Sequence, residues 1–207
     1  MSEVLKVTSF VVRRESGASE VLLIRHPNAG VQFPAGTVES DETPAAAALR
    51  EAWEETGLAG FGSPLACGEL VEELAPPAWM TASVTPVYAR PDGSQLEWAA
   101  LEIRRGLPVV GERRQNGFVQ ITYEEVDRVP DPQYVTFRLT GWVSEDALAR
   151  VRRRFFYVLP FEGDTPPAWD HAADGHTWTL FWQPLDALPA MVPPQDAWVS
   201  YLAAARS

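Results

Sequence analysis

Cysteine is nearly absent from this chain. Cys67 stands alone, so no internal disulfide can form, and its apolar-rich surroundings suit a small buried residue better than a nucleophile. Basic residues are also few: 17 Lys and Arg against 28 Asp and Glu give a formal net charge of −11. That balance argues against long nucleic acids as partners, because they call for a basic surface. It leaves room for a small phosphorylated substrate, since bound cations invert the local field. No apolar run is long enough to span a membrane, and the opening Met1-Ser2-Glu3-Val4-Leu5-Lys6 has no signal-peptide pattern, so the cytoplasm is the expected compartment. Internal repeats, low-complexity stretches and a helix-turn-helix segment are missing too. Hydrophobic residues at 46% and charged residues at 22% are ordinary for a soluble globular protein. The 207 residues suffice for one large domain or for a domain carrying a smaller one.

The informative stretch runs from Gly36 to Leu58. Its second half is a predicted helix, with Thr43 as N-cap, Pro44 at the first position, alanine-rich turns and Gly57 as a left-handed stop. At 3.6 residues per turn, Ala45, Leu49, Ala52, Trp53 and Thr56 share one side, expected to face a core. Glu51, Glu54 and Glu55 converge on the other, above the small Pro44, Ala47 and Ala48. Like charges at Glu51 and Glu55 cost roughly 0.2–0.5 kcal/mol in an isolated helix. A carboxylate cluster kept against that repulsion suits a hard divalent cation. A solvated acidic face with Arg50 paired to Glu54 is the plainer reading of the same residues.

The wider spacing decides between them. Gly36, Glu42, Arg50-Glu51, Ala52, Glu54-Glu55, Gly57 and Leu58 stand at the intervals of the Nudix box, and the stretch resembles that signature of the Nudix hydrolases. Ala52 departs slightly, standing where the family usually has a larger aliphatic residue. Phe33-Pro34-Ala35 resembles the usual lead-in. The resemblance implies an α/β fold, an α/β/α sandwich around a mixed sheet. It also implies metal-dependent hydrolysis of a pyrophosphate bond in a nucleoside diphosphate linked to another moiety, with Mg2+ or Mn2+ as cofactor. On this resemblance Glu51, Glu54 and Glu55 are the metal ligands, joined by the backbone carbonyl of Ala35. Arg50 orients the glutamates, Gly36 lets the loop pass close to the helix, Glu42 braces that loop or joins the outer metal shell, and Gly57 ends the helix.

Around the box, strands are expected at Val4–Arg13, Glu20–Arg25, Leu65–Leu74, Phe155–Phe161 and Trp178–Trp182, with a last helix over Pro194–Ala205. Residues 1–81 and 149–207 read as a discontinuous Nudix domain. Residues 82–148 read as an inserted small β domain, with strands at Ser83–Ala89, Leu107–Glu112, Phe118–Tyr123 and Tyr134–Val143, a hairpin at Asn116-Gly117 and a helical turn from Ser144 to Leu148. The order Arg105-Gly106-Leu107-Pro108-Val109, Gly117-Phe118-Val119-Gln120-Ile121, Thr140-Gly141-Trp142-Val143 is similar to a bacterial Src-homology-three-like barrel. Peptide or cell-wall binding, a lid, a homodimer contact and an elaborated loop with extra strands and no partner all stay open as its role. The basic run Arg150–Arg154 reads as a solvated surface or a phosphate contact.

The box does not settle the general base. The resemblance implies either a helix glutamate, Glu51 or Glu54, or a residue on a distant loop, where Gly163–His176 offers Asp164, Asp170, His171, Asp174 and His176. Phe33, Trp169 and Trp178 are candidates to stack on a base, beside His171 and His176 as substrate contacts, while most tryptophans are expected in the core. A nucleotide-binding or sensing module on the same scaffold is the alternative function. An isoprenoid diphosphate isomerase of the same fold ranks lower, because its chemistry needs a catalytic cysteine and Cys67 follows the box in a strand.

Overall fold

The structure, a computed structural model, describes residues 2–15, 17–94, 101–173 and 175–206. By contact, the chain divides into two compact units. One holds Lys6–Glu69, Arg128–Asp131 and Arg154–Ser207, and the other holds Met1–Leu5, Leu70–Asp127 and Pro132–Arg153.

In chain order, strands β1 (Glu3–Glu15) and β2 (Ala18–His26) form a hairpin, paired from Val12↔Val21 to Glu15↔Ala18. Both are rich in β-branched and aliphatic residues, as strands buried on two faces require. Short β3 (Gly30–Gln32) adds to β2, and β4 (Ala35–Thr37) pairs with β1 at Val7↔Gly36. Helix α1 (Pro44–Thr56) follows. The Thr43 side chain accepts from the Ala46 N–H at its start, and Gly57 closes it with φ 69° while donating to the Trp53 carbonyl at 2.8 Å. Strand β5 (Leu65–Glu73) comes next.

The chain then supplies β6 (Ala78–Thr81), β7 (Thr85–Pro86), β8 (Glu102–Ile103), β9 (Pro108–Gln115), β10 (Phe118–Val126), β11 (Val135–Ser144) and β12 (Leu148–Ala149). Five of these make a sheet in the order β11-β10-β9-β6-β12, and β7 pairs with β8. Asn116 and Gly117 both take positive φ, 52° and 78°, which a two-residue hairpin needs to match the strand twist. Trp79, Val109, Val119, Ile121 and Val143 are among the residues that give this unit its own core. The strand expected over Ser83–Ala89 shrinks to Thr85–Pro86, because the chain bends there and pairs only briefly. The helical turn after Ser144 is a single 3-10 turn, Glu145–Ala147.

The return to the first unit uses β13 (Val151–Pro160), β14 (Ala168–Ala173), β15 (His176–Pro184) and helix α2 (Gln195–Trp198), continued as 3-10 helix over Val199–Arg206. The larger sheet runs β14-β15-β2-β1-β13-β5, with β3 and β4 on its flank. Neighbouring residues of β1 point to opposite faces, and each face has its own cover. On one, Val11, Leu22, Ile24, Leu159, Trp178, Leu180 and Trp182 pack with Ala52 of α1. On the other, Phe10 stacks on Phe156 at 5.9 Å, and Phe156 stacks on Tyr201 at 4.0 Å and meets Trp198 edge-on. This is an α/β/α arrangement with few helices, and the expected long final helix is one α turn tightened into 3-10.

Two sequence expectations fail here for one reason. The basic run leads into β13, and its last residue is not on a solvated surface. Arg154 is buried, donates to the Val7 carbonyl and to Thr8 Oγ1, both at 2.9 Å, and lies 4.1 Å above the Trp198 ring. About half of the supposed loop Gly163–His176 is strand, since β14 pairs residue by residue with β15 from Ala168↔Phe181 to Ala173↔His176. In both segments, charged and small residues hide a strand whose partners lie far away in sequence.

Candidate active site

The N-terminal half of the box is a backbone that faces carboxylates. The Thr37 N–H donates to Glu51 Oε1 at 3.1 Å and the Ala35 N–H to Glu55 Oε2 at 2.9 Å. A Cβ on Gly36 would fall 1.9 Å from Glu51 Cδ and 2.0 Å from its Oε1. Only a residue without a side chain lets the Glu51 carboxylate lie flat on this loop. Residues 33–35 are pinned from behind: the Phe33 N–H donates to Gln195 Oε1 at 2.6 Å, and the Ser9 N–H donates to the Pro34 carbonyl at 2.8 Å.

These bonds turn the helix differently from the expected way. Ala47, Ala48, Ala52 and Thr56 are its buried residues, and Ser9 Oγ donates to the Ala48 carbonyl. Trp53, expected in the core, is 56% exposed. The apolar count placed the core on the Trp53 side, whereas partnered glutamates can lie on the inward side without the cost of unpaired charge.

Arg50 ties the acidic residues together. It binds Glu42 through two nitrogens (Nε at 3.1 Å, a terminal nitrogen at 2.7 Å), Glu54 at 2.9 Å, Glu51 at 3.0 Å and the Thr37 carbonyl at 3.0 Å. Glu42 also accepts from the Glu39 N–H at 2.9 Å. The Glu42 hydrogen bonds and the surrounding carboxylates hold the guanidinium firmly charged. Glu51 shows the opposing effect. Burial pushes its carboxyl above the usual range, Arg50 pulls it back, and Glu54 pushes it up again.

Glu51, Glu54 and Glu55 share one cleft of about 630 Å³, whose other lining residues are Trp53, Gly57, His171, Ala172 and Ala173. The far wall is β14, held to the helix end by two bonds. His171 Nε2 lies 3.1 Å from the Glu54 carbonyl oxygen, and Trp178 Nε1 donates to the Glu55 carbonyl at 2.9 Å. The remaining sequence candidates fall elsewhere. Phe33 is 1% exposed, edge-on to Phe10 at 4.8 Å, and cannot stack on a substrate. Trp178 is buried in the core and serves as an anchor for α1 rather than as a base platform. Trp169 packs on the same core from its edge. His176 is exposed and meets the His26 ring at 4.9 Å; sequence reasoning passed over His26, whose pKa burial and the neighbouring His176 both lower. Asp170 accepts from Thr179 Oγ1 at 2.8 Å, and Asp174 lies outside the described residues.

A divalent cation is chemically suited to this cleft. Its donors are hard carboxylate oxygens, and Glu51 carries charge that water solvates poorly. As placed, however, no three His, Cys, Asp or Glu side chains among the described residues converge on one point, and Arg50 occupies Glu54.

Residues 4–100 match the model of the NUDIX domain. That stretch, 97 of the 207 residues, carries a Nudix domain. The match spans α1 and the glutamates just described. No curated protein matches the chain. Among solved structures, the NUDIX domain of Shewanella oneidensis NrtR, crystallised with ADP ribose, is 12% identical with a TM-score of 0.45. That alignment covers 100% of this chain and 90% of that one. Among the described residues, no helix is long and apolar enough to cross a membrane.

Proposed function

We propose that this protein hydrolyses the pyrophosphate bond of a nucleoside diphosphate linked to another moiety, using Mg2+ or Mn2+ held by Glu51, Glu54 and Glu55. The observation that carries this reading is the seating of the Glu51 carboxylate against Gly36, with all three glutamates lining one cleft. A bound cation neutralises phosphate charge and acidifies the attacking water. The chain does the rest. The Thr37 and Ala35 N–H groups fix the orientation of Glu51 and Glu55, Arg50 keeps Glu51 ionised and aligned, and the Ala35 carbonyl is the extra oxygen donor. Glu54, the most exposed of the three, is assigned the proton released by the water. The expected substrate is small, the compartment cytoplasmic, and residues 82–148 a module inserted between 1–81 and 149–207, open to serve as a homodimer contact.

Arg50 favours a second reading. It engages Glu42, Glu51 and Glu54 together, and a scaffold that binds nucleotides without cleaving them would keep its glutamates neutralised in this way. Incubating the protein with nucleoside diphosphate derivatives, with and without Mg2+, separates the two. Metal-dependent release of nucleoside monophosphate, lost in Glu54→Gln and Glu55→Gln, supports the hydrolase. Tight binding without release supports the sensing module.

A further inference from the structure

Trp53 is a tryptophan left in solvent on a rigid helix. More than half its surface is exposed, yet it lies between Ala52, which is buried, and Glu54, which is bound to Arg50. Its own carbonyl accepts the capping N–H of Gly57, so its backbone is fixed. An exposed indole leaves a large apolar area in water, and a stable helix does not need one at such a position. Gly57, Ala172 and Ala173, which line the same cleft, are all small.

We propose that Trp53 is the platform on which the nucleobase of the substrate stacks, which sets the diphosphate over Glu54 and Glu55. This rests on the nucleotide reading above and adds to it the group that recognises the base. A flat indole and a flat base fit face to face, and such stacking tolerates any base because each has a π-face. The site therefore selects for a nucleoside end over a bare phosphate chain, with little discrimination among bases. The adjacent carboxylates repel a free diphosphate, so stacking acts together with the cation.

The test measures binding of ADP and of inorganic pyrophosphate, each with Mg2+, to the full chain and to Trp53→Ala and Trp53→Phe. Because residue 53 is exposed, both variants should keep the wild-type melting temperature. The expected result is an ADP affinity lowered roughly tenfold in Trp53→Ala and largely restored in Trp53→Phe, with pyrophosphate affinity held within about twofold throughout. Unchanged ADP affinity in Trp53→Ala overturns the platform and leaves the nucleotide reading standing. An equal loss for ADP and pyrophosphate also overturns it, since the effect is then on the phosphate site. A wild-type chain that binds neither compound removes both readings together.

Discussion

A side-chain carbon added to Gly36 would lie 1.9 Å from the carboxyl carbon of Glu51, closer than any real contact. The φ of Gly36 is not in the left-handed region, so proximity alone demands glycine here. Gly36→Ala should therefore push the Glu51 carboxylate out of its seat. Turnover should fall on the order of 100-fold, the usual effect of a misplacement of about 1 Å, while the fold loses about 1–3 kcal/mol. Steady-state kinetics beside urea unfolding would check it, and a fully active Gly36→Ala enzyme would contradict the seating.

Glu51 binds its proton more tightly in the folded chain than in the unfolded one, chiefly through burial. Its contribution to stability is then full below the unfolded value, near 4.5, and is lost as pH rises through the raised folded value. In metal-free buffer, Glu51→Gln should melt higher than wild type at neutral pH, and the advantage should fade toward pH 4. Added Mg2+ should reverse the order by stabilising only the wild type, by about 2.7 kcal/mol at a hundredfold excess over its Kd. Calorimetric melting across pH, with and without EDTA, tests both signs.

Arg50→Lys keeps the charge but loses the planar fork that reaches Glu42, Glu51 and Glu54 at once. Metal affinity or activity should drop about 10- to 100-fold, as when a ligand-orienting partner is removed. Mn2+ titration followed by electron paramagnetic resonance would show it; an affinity equal to wild type would mean that the glutamates orient themselves.

Trp178→Phe should lower stability and leave specificity alone. Its indole N–H to the Glu55 carbonyl is a part-buried bond, and losing it costs about 0.5–1.5 kcal/mol. The ratio of kcat/KM between two nucleotide substrates should stay at the wild-type value. A change in that ratio would make Trp178 a substrate contact after all.

Much of this protein was legible in one dimension because the signals are local. Thr43, Pro44 and Gly57 delimit α1 by backbone chemistry within a few residues, Asn116-Gly117 encodes its own hairpin, and the box intervals place three glutamates and one arginine on a single helix. What the chain could not announce is which way that helix faces. Amphipathic counting weighs side-chain polarity and sent Trp53 inward. The fold sent Glu51 and Glu55 inward, because the N–H groups of Thr37 and Ala35, 14 and 20 residues away, give their carboxylates partners. The same rule explains Arg154 in the core, His171 and Trp178 bound to the helix end, and Phe33 sealed behind Gln195. Burial of a polar group depends on the partner it meets, and distant partners meet only once the sheet has formed.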